Sequence, residues 1–562
     1  MHSRYLVMKK INPHLIILYI FLVCSIATVS CKKSLDESLD VAPRDRLTNA
    51  SVWTDVSTAD VFLNDIYGQL PDGNNYYDPL DNWTDNSICG FAWPFSRNVI
   101  QQSNYTSATN ALEGNLSLSW SSYYGYIRKC NVFIENVTAS PLPDDYKGKR
   151  IAEARFLRAY FYHLLWMTYG GLPIITQVLN VTTQGDSVIR ARNTFEEVLA
   201  FLKSDLDLAA QELGETNDPG RATKGAALTL KGWCELFGKD YAASAATNNE
   251  IIETLGNGNI YDLFPDYGAL FLPDGNSSKE GVFYRQYVSR VKGGRYEGYN
   301  AATFTSGGAE TSWGGVNPTQ EIVDDYEMDN GLPISDPNSG YDPQNPYVNR
   351  EKRFYQSITY DGSFWYNDTI YTRQGVGSAN ELDLSDHNDA SQTGYYLRKR
   401  CNDKITLGAD NWDGGSGSQN YYYFRYAEVL LNYAEAQNEA VGPDMSVYDA
   451  INKVRARSEL PALTPGFSQD QMRTAIRRER RIELAFEDKR WWDLLRWKIA
   501  EVNINQQLHG ISITVGGGGQ KVYAPVTIPG GNRKFDPSKN YLFPIPQDAL
   551  DQNEKLVQNP GY

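Results

Sequence analysis

One segment constrains this chain more than any other. Residues 150–168 read RIAEARFLRAYFYHLLWMT, with Ile151, Ala154, Leu157, Phe161, Leu164 and Leu165 recurring at spacings of three and four. That period places them along one face of a helix that must be buried against other elements. Gly170-Gly171 stops the helix, and Pro173 prevents its resumption. The same period predicts helices over residues 57–70, 118–137, 194–213 and 222–238.

Residues 222–238 and 241–255 form a helix pair joined by Lys239-Asp240. The small residues Ala226, Ala227 and Gly232 on one member, and Ala242, Ala243, Ala245 and Ala246 on the other, let the two backbones approach closely. Residues 426–442 and 446–458 make a second pair of this kind. Alanine-rich antiparallel pairs are the unit of tetratricopeptide-type repeats, although the full repeat signature is absent. Over residues 256–420 the texture changes to Gly, Asn, Asp, Ser, Pro and Tyr without helical period. A segment that long is too extensive for a linker and reads as packed loops and short strands mounted on the helices. Residues 72–97 repeat the texture on a smaller scale. The expected fold is mostly α: a tetratricopeptide-like helical-repeat scaffold carrying a long, loop-rich region with short strands.

The first thirty residues have the layout of a secretory signal peptide: Lys9-Lys10, an apolar run over residues 15–29, then small residues leading to Cys31. The stretch Ala27-Thr28-Val29-Ser30-Cys31 resembles a bacterial lipobox, which implies lipidation of Cys31 and a polar tether over residues 31–48. Six cysteines, two of them in this leader and the rest widely scattered, form no disulfide framework and no CxxC metal knuckle. A net charge of −15 argues against nucleic acid as a partner.

Five segments occur in a telling order: AEARFLRAYFYHLLWMTYGGLPIIT (152–176), YAEVLLNYAEAQNEA (426–440), INKVRARSELPAL (451–463), IRRERRIELAFEDKRWWDLLRWK (476–498) and YLFPIPQDALDQNEKLVQNPGY (541–562). Together they resemble the SusD/RagB family. The resemblance implies a lipid-anchored outer-membrane protein that caps a SusC-type TonB-dependent transporter and binds oligosaccharide or, in some members, peptide at the cell surface. It divides the chain into an N-terminal helical region (49–255) and a C-terminal region (256–562), the latter with a ligand-binding part (256–420) and a helical part (421–500). In the 476–498 segment, Arg477, Arg478, Arg480 and Arg481 alternate with Glu479, Glu483 and Glu487, which reads as a helix face laced with ion pairs.

Nothing in the residues points to catalysis. His163, His387 and His509 are far apart, His163 reads as a core residue, and no HExxH, GxSxG or P-loop occurs. Neither Asp410 and Asp413 nor Asp78, Asp81 and Asp85 match an EF-hand, and no metal or cofactor is expected. A sugar site needs flat aromatic faces beside amides, carboxylates and guanidinium groups. The irregular segments supply both, as do 38 tyrosines and 12 tryptophans overall. The candidate ligand-binding residues are Tyr76, Tyr77, Asn82, Trp83, Asp85, Trp93 and Arg97, then Tyr284, Tyr296, Tyr299 and Trp313. A surface glycoside hydrolase, a peptide-binding protein and a purely structural subunit of a transporter complex are the rival readings. For the anchor, mass spectrometry of the mature protein should find an acylated Cys31 at its N-terminus, and Cys31→Ala should release the protein from membranes. An unmodified N-terminus upstream or downstream of Cys31 would contradict it.

Overall fold

The computed structural model describes residues 52–76, 78–92, 96–109, 119–305, 310–385, 390–405 and 415–562. The leader with Cys31, together with Tyr77, Trp93, His387, Asp410 and Asp413, lies outside the described residues. Among the described residues, no helix is long and apolar enough to cross a membrane.

The helices form where the period predicts them. They are α1 (Val56–Gly68), α2 (Trp120–Ala139), α3 (Asp144–Tyr169), α4 (Phe195–Glu212), α5 (Lys224–Phe237) and α6 (Tyr241–Glu250). After the irregular region come α7 (Tyr426–Ala440), α8 (Met445–Arg457), α9 (Gln469–Glu483) and α10 (Arg490–Trp497). Local chemistry sets their ends. Thr194 and Glu197 form a capping box at the start of α4, and Ser468 and Gln471 form one at the start of α9. Gly170, at φ 78°, closes α3.

The helices pack as a stack: α2 on α3, α3 on α4, α4 on α5, α5 on α6, and then α6 directly on α7, which carries α8 and α9. The two alanine-rich pairs are therefore neighbours in space, and the irregular region is an insertion into a continuous helical stack. Gly232 shows why small residues are needed. A Cβ there would lie 2.5 Å from Asn248 Nδ2 on α6, whose Ser244 hydroxyl already donates to the Gly232 carbonyl at 2.8 Å. Short strands pair as five two-stranded antiparallel ribbons among the described residues; four involve the insertion, and the fifth, His509–Val515 with Lys521–Thr527, follows the helices.

Two sequence expectations change in detail. Helix α3 is not one-faced: from Ala152 to Tyr169 every side chain except Arg155 is buried. Its polar groups are consequently paired. Arg158 grips Asp205 of α4 with two hydrogen bonds of 2.7 Å and donates to Asn131 of α2 at 2.8 Å, while Glu153 accepts from Arg150, Arg221 and Tyr67. His163 does sit in the core, where burial holds its imidazole neutral by pushing its pKa down to about 3.

The second change concerns residues 476–498. The chain breaks between α9 and α10 at a turn in which Phe486 and Asp488 adopt positive φ (61° and 62°). Its charges face inward. Glu483 accepts from Arg425 at 2.6 Å and Arg353 at 2.9 Å, and also from Arg457. Glu479 pairs with Arg353 and Arg455, and Glu487 with Arg425 and Lys399. Glu280 of the irregular region binds Arg425 at 2.7 Å. All these side chains are buried. The same turn holds the 72–97 loop: the Asp81 carboxylate accepts the Phe486 and Asp488 amides at 3.0 Å, and Asp488 accepts the Leu80 amide at 2.7 Å. Burial, with Asp488 nearby, pushes the Asp81 carboxyl up to about 6.

Removing one partner from such a network leaves uncompensated buried charge. Arg425→Met should destabilise the protein by about 3–5 kcal/mol in denaturant melts. The pH dependence follows from the depressed carboxylates. Arginine partners pull Glu435 and Glu487 down to about 2 and hold Glu483 and Asp85 well below the usual range, against the burial that opposes ionisation. Their contribution is complete above the ordinary glutamate value of 4.5 and is lost as pH falls through about 2. Burial pushes Asp81, Asp324, Asp488, Glu235, Glu297 and Glu327 the other way, but that penalty is relieved as pH falls to the ordinary carboxylate range, so below it the depressed set governs. Thermal melts should therefore show stability falling steeply below pH 4.5; an undiminished Tm at pH 3 would refute this balance.

Candidate functional site

Two glycines build a partly open aromatic cluster where the 72–97 loop meets the insertion. Strand β1 (Ser87–Cys89) runs antiparallel to β2 (Val316–Pro318), with Cys89 opposite Val316, and the Gly90 amide extends the ribbon by donating to the Gly315 carbonyl at 3.2 Å. A Cβ on Gly90 would stand 2.1 Å from the Gly314 carbonyl oxygen. One on Gly315 would stand 2.6 Å from the Tyr299 carbonyl oxygen and 3.0 Å from the Phe91 ring. Only glycine permits this approach. The 313–315 stretch then lies along the short helix Tyr296–Asn300, with the Trp313 amide on the Gly298 carbonyl (2.9 Å) and the Gly315 amide on the Tyr299 carbonyl (2.7 Å).

This backbone brings three rings together. Trp313 meets Phe91 edge-on at 5.7 Å and Tyr299 at 5.5 Å with a 58° tilt. Phe91 is buried beneath, while Tyr299 and Trp313 are each half-buried. Arg97 ties the edge of the cluster: it donates to the Phe91 carbonyl at 3.1 Å and to Gln392 Oε1 at 3.4 Å. Asn98, on the surface, donates to the Ala92 carbonyl at 3.2 Å. Behind the short helix, the Arg400 guanidinium lies 3.9 Å from the centre of the Tyr296 ring, and burial pushes the Glu297 carboxyl up to about 7. The outcome is a partly open aromatic face with the Arg97 guanidinium and the Gln392 amide buried beside it, on a backbone held by close glycine contacts. Such a face has the shape to stack on the C–H side of a sugar ring.

Of the residues singled out in the sequence, Tyr299, Trp313 and Arg97 meet here. Tyr77 and Trp93 lie outside the described residues. Four others are framework, not binding surface. Trp83 is 1% exposed, edge-on to Trp491 of α10 at 5.4 Å. Asp85 is bound by both arms of Arg490 at 2.9 Å and by Arg481. Asn82 donates to Asp78 and to the Gly315 carbonyl and accepts from the Ser87 hydroxyl. Tyr296 is 1% exposed under Arg400. Tyr76 packs half-buried on the main core, and Tyr284 belongs to a separate cluster with Tyr267, Phe271 and Tyr422. Phe91 and Gln392 were missed. The run Cys89-Gly90-Phe91 carried a usable signal, an aromatic beside a glycine, whereas nothing local marks Gln392.

Comparison with known proteins agrees with this architecture. Residues 279–562 match the model described as SusD family, and residues 39–231 match one described as "Starch-binding associating with outer membrane". A SusD-like protein from Bacteroides ovatus is 25% identical over 488 residues, 82% of this chain and 79% of that one. The crystal structure of a SusD-like protein from Bacteroides fragilis superposes with a TM-score of 0.77 at 29% identity, covering 93% of this chain and 100% of that one. A second B. fragilis structure, described as a SusD-like carbohydrate binding protein, gives 0.75 at 27% identity over 90% and 100%. The chain belongs to the SusD family.

Proposed function

We propose that this protein is a cell-surface lipoprotein of the outer membrane, anchored through Cys31, that captures oligosaccharides for import through a SusC-type TonB-dependent transporter. The observation that carries the proposal is the half-buried Tyr299–Trp313 pair, set on a glycine-built ribbon. Membership of the SusD family supports it, as does the likeness to a B. fragilis protein described as carbohydrate binding. Binding proceeds by stacking and hydrogen bonding without a covalent step. A glycosidase would need two carboxyl groups flanking the bond to be broken. The nearby candidates Asp78, Asp81 and Asp85 are instead buried in the framework.

Losing one stacked ring from the platform removes about 1.5–3 kcal/mol of apolar burial, roughly 10- to 100-fold in Kd. Trp313→Ala and Tyr299→Ala should each weaken binding of the preferred glycan by such a factor in calorimetric titrations, with Tm nearly unchanged; unchanged affinity in both would sink the site. Gly315→Ala should weaken binding comparably, because its methyl group would press on the Phe91 ring and the Tyr299 carbonyl. Wild-type affinity in Gly315→Ala would show that the ribbon does not shape the site. The appearance of new reducing ends during incubation with the bound glycan would overturn the non-catalytic reading.

A further inference from the structure

A cavity of about 460 Å³ opens where α2 begins. It shares no lining residue with the Tyr299–Trp313 platform. Its inner wall is aromatic and apolar. Trp120 meets Tyr169 edge-on at 5.2 Å and Tyr124 at 5.0 Å, and Phe543, Pro544 and Pro546 stand beside them. Tyr124 is held by its hydroxyl, which donates to the Pro173 carbonyl at 2.9 Å. The wall is thus preformed, and its volume falls within the roughly 300–1,000 Å³ of small-ligand sites.

The rim is of a different chemistry. The side chains of Asp548 and Gln552, on the short helix Gln547–Gln552, are exposed at the mouth and hold no hydrogen bond among the described residues. Ser121 and Arg190 complete the rim, the guanidinium donating to the Ser187 carbonyl from one nitrogen and keeping its other donors. One carboxylate, one guanidinium, an amide and a hydroxyl make a rim without net charge. Such a rim disfavours a phosphate or carboxylate ligand and suits a neutral polyol, which offers both donors and acceptors. An aromatic and apolar wall under a mixed donor–acceptor rim supplies both kinds of contact that a sugar ring takes.

We propose that this cavity is a second saccharide site, taking a short neutral sugar segment independently of the platform. The inference rests on the reading of the protein as a glycan receptor and extends it to a place where no platform residue reaches. A glycan long enough to occupy both places would gain affinity through effective concentration, without any new contact.

The test uses the full mature protein and a panel of neutral trisaccharides (maltotriose, cellotriose, xylotriose and mannotriose), with ligand-observed NMR and calorimetry as readouts. Ala549→Trp, at a half-buried position in the lining, fills the cavity. The double variant Asp548→Ala/Gln552→Ala removes the rim without adding bulk. In a Trp313→Ala background, binding of at least one trisaccharide should persist. Either cavity variant should then weaken it at least about tenfold, with melting unchanged. The proposal is overturned if no trisaccharide binds Trp313→Ala, or if both folded cavity variants stay within about twofold of their parent. Full binding in Trp313→Ala that vanishes in Ala549→Trp would instead sink the platform and leave the cavity as the site.

Discussion

Arg425 is the point on which this structure turns. Its guanidinium reaches Glu280, Glu483 and Glu487 at 2.6–2.8 Å while almost fully buried, and so joins the irregular insertion to the α9–α10 segment. Taking four charged groups out of water costs several kcal/mol each, and it is repaid only where geometry and hydrogen bonding are complete. A planar fork with five donors meets that requirement; a lysine in its place would not. The network extends through Arg353, Arg455 and Arg457 to Glu327, Glu351 and Glu479, so that a region with almost no regular structure of its own is docked by directional contacts. Apolar packing alone would hold loops less exactly, because it has no direction.

This explains how flexible sequence makes a precise surface. The aromatic platform sits on loops, yet each loop is fastened to something rigid. Asp81 caps the turn between α9 and α10, Asn82 holds the Gly315 carbonyl, and the β1–β2 ribbon closes at van der Waals distance because Gly90 and Gly315 carry no side chain. The residues that position the rings are thus themselves placed by the charged hub. Binding to such a surface loses little conformational entropy, since the rings are held before the ligand arrives.

How much of this was legible in the sequence varies with the range of the forces involved. The helices were, because apolar period and capping act within a few residues: α4, α5 and α7 begin and end within about two residues of their expected limits. The stacking of α6 on α7 was only half legible. Alanine-rich faces announced two pairs, but not that pairs separated by the whole insertion would meet. The hub was illegible, since alternating Arg and Glu on a helix look the same whether they face water or the core. Trp83 misled for the same reason: its burial depends on Trp491 and Phe543, more than 400 residues away in the chain. Tyr299 and Trp313 stood out as aromatics in irregular sequence, but their adjacency depends on a ribbon formed with residues 87–90.

If the half-buried faces of Tyr299 and Trp313 receive the sugar, a crystal structure of the protein with an oligosaccharide that it binds in solution tests this most directly. A pyranose ring should lie against the Trp313 ring. A well-ordered sugar elsewhere, with Tyr299 and Trp313 left bare, would contradict the assignment.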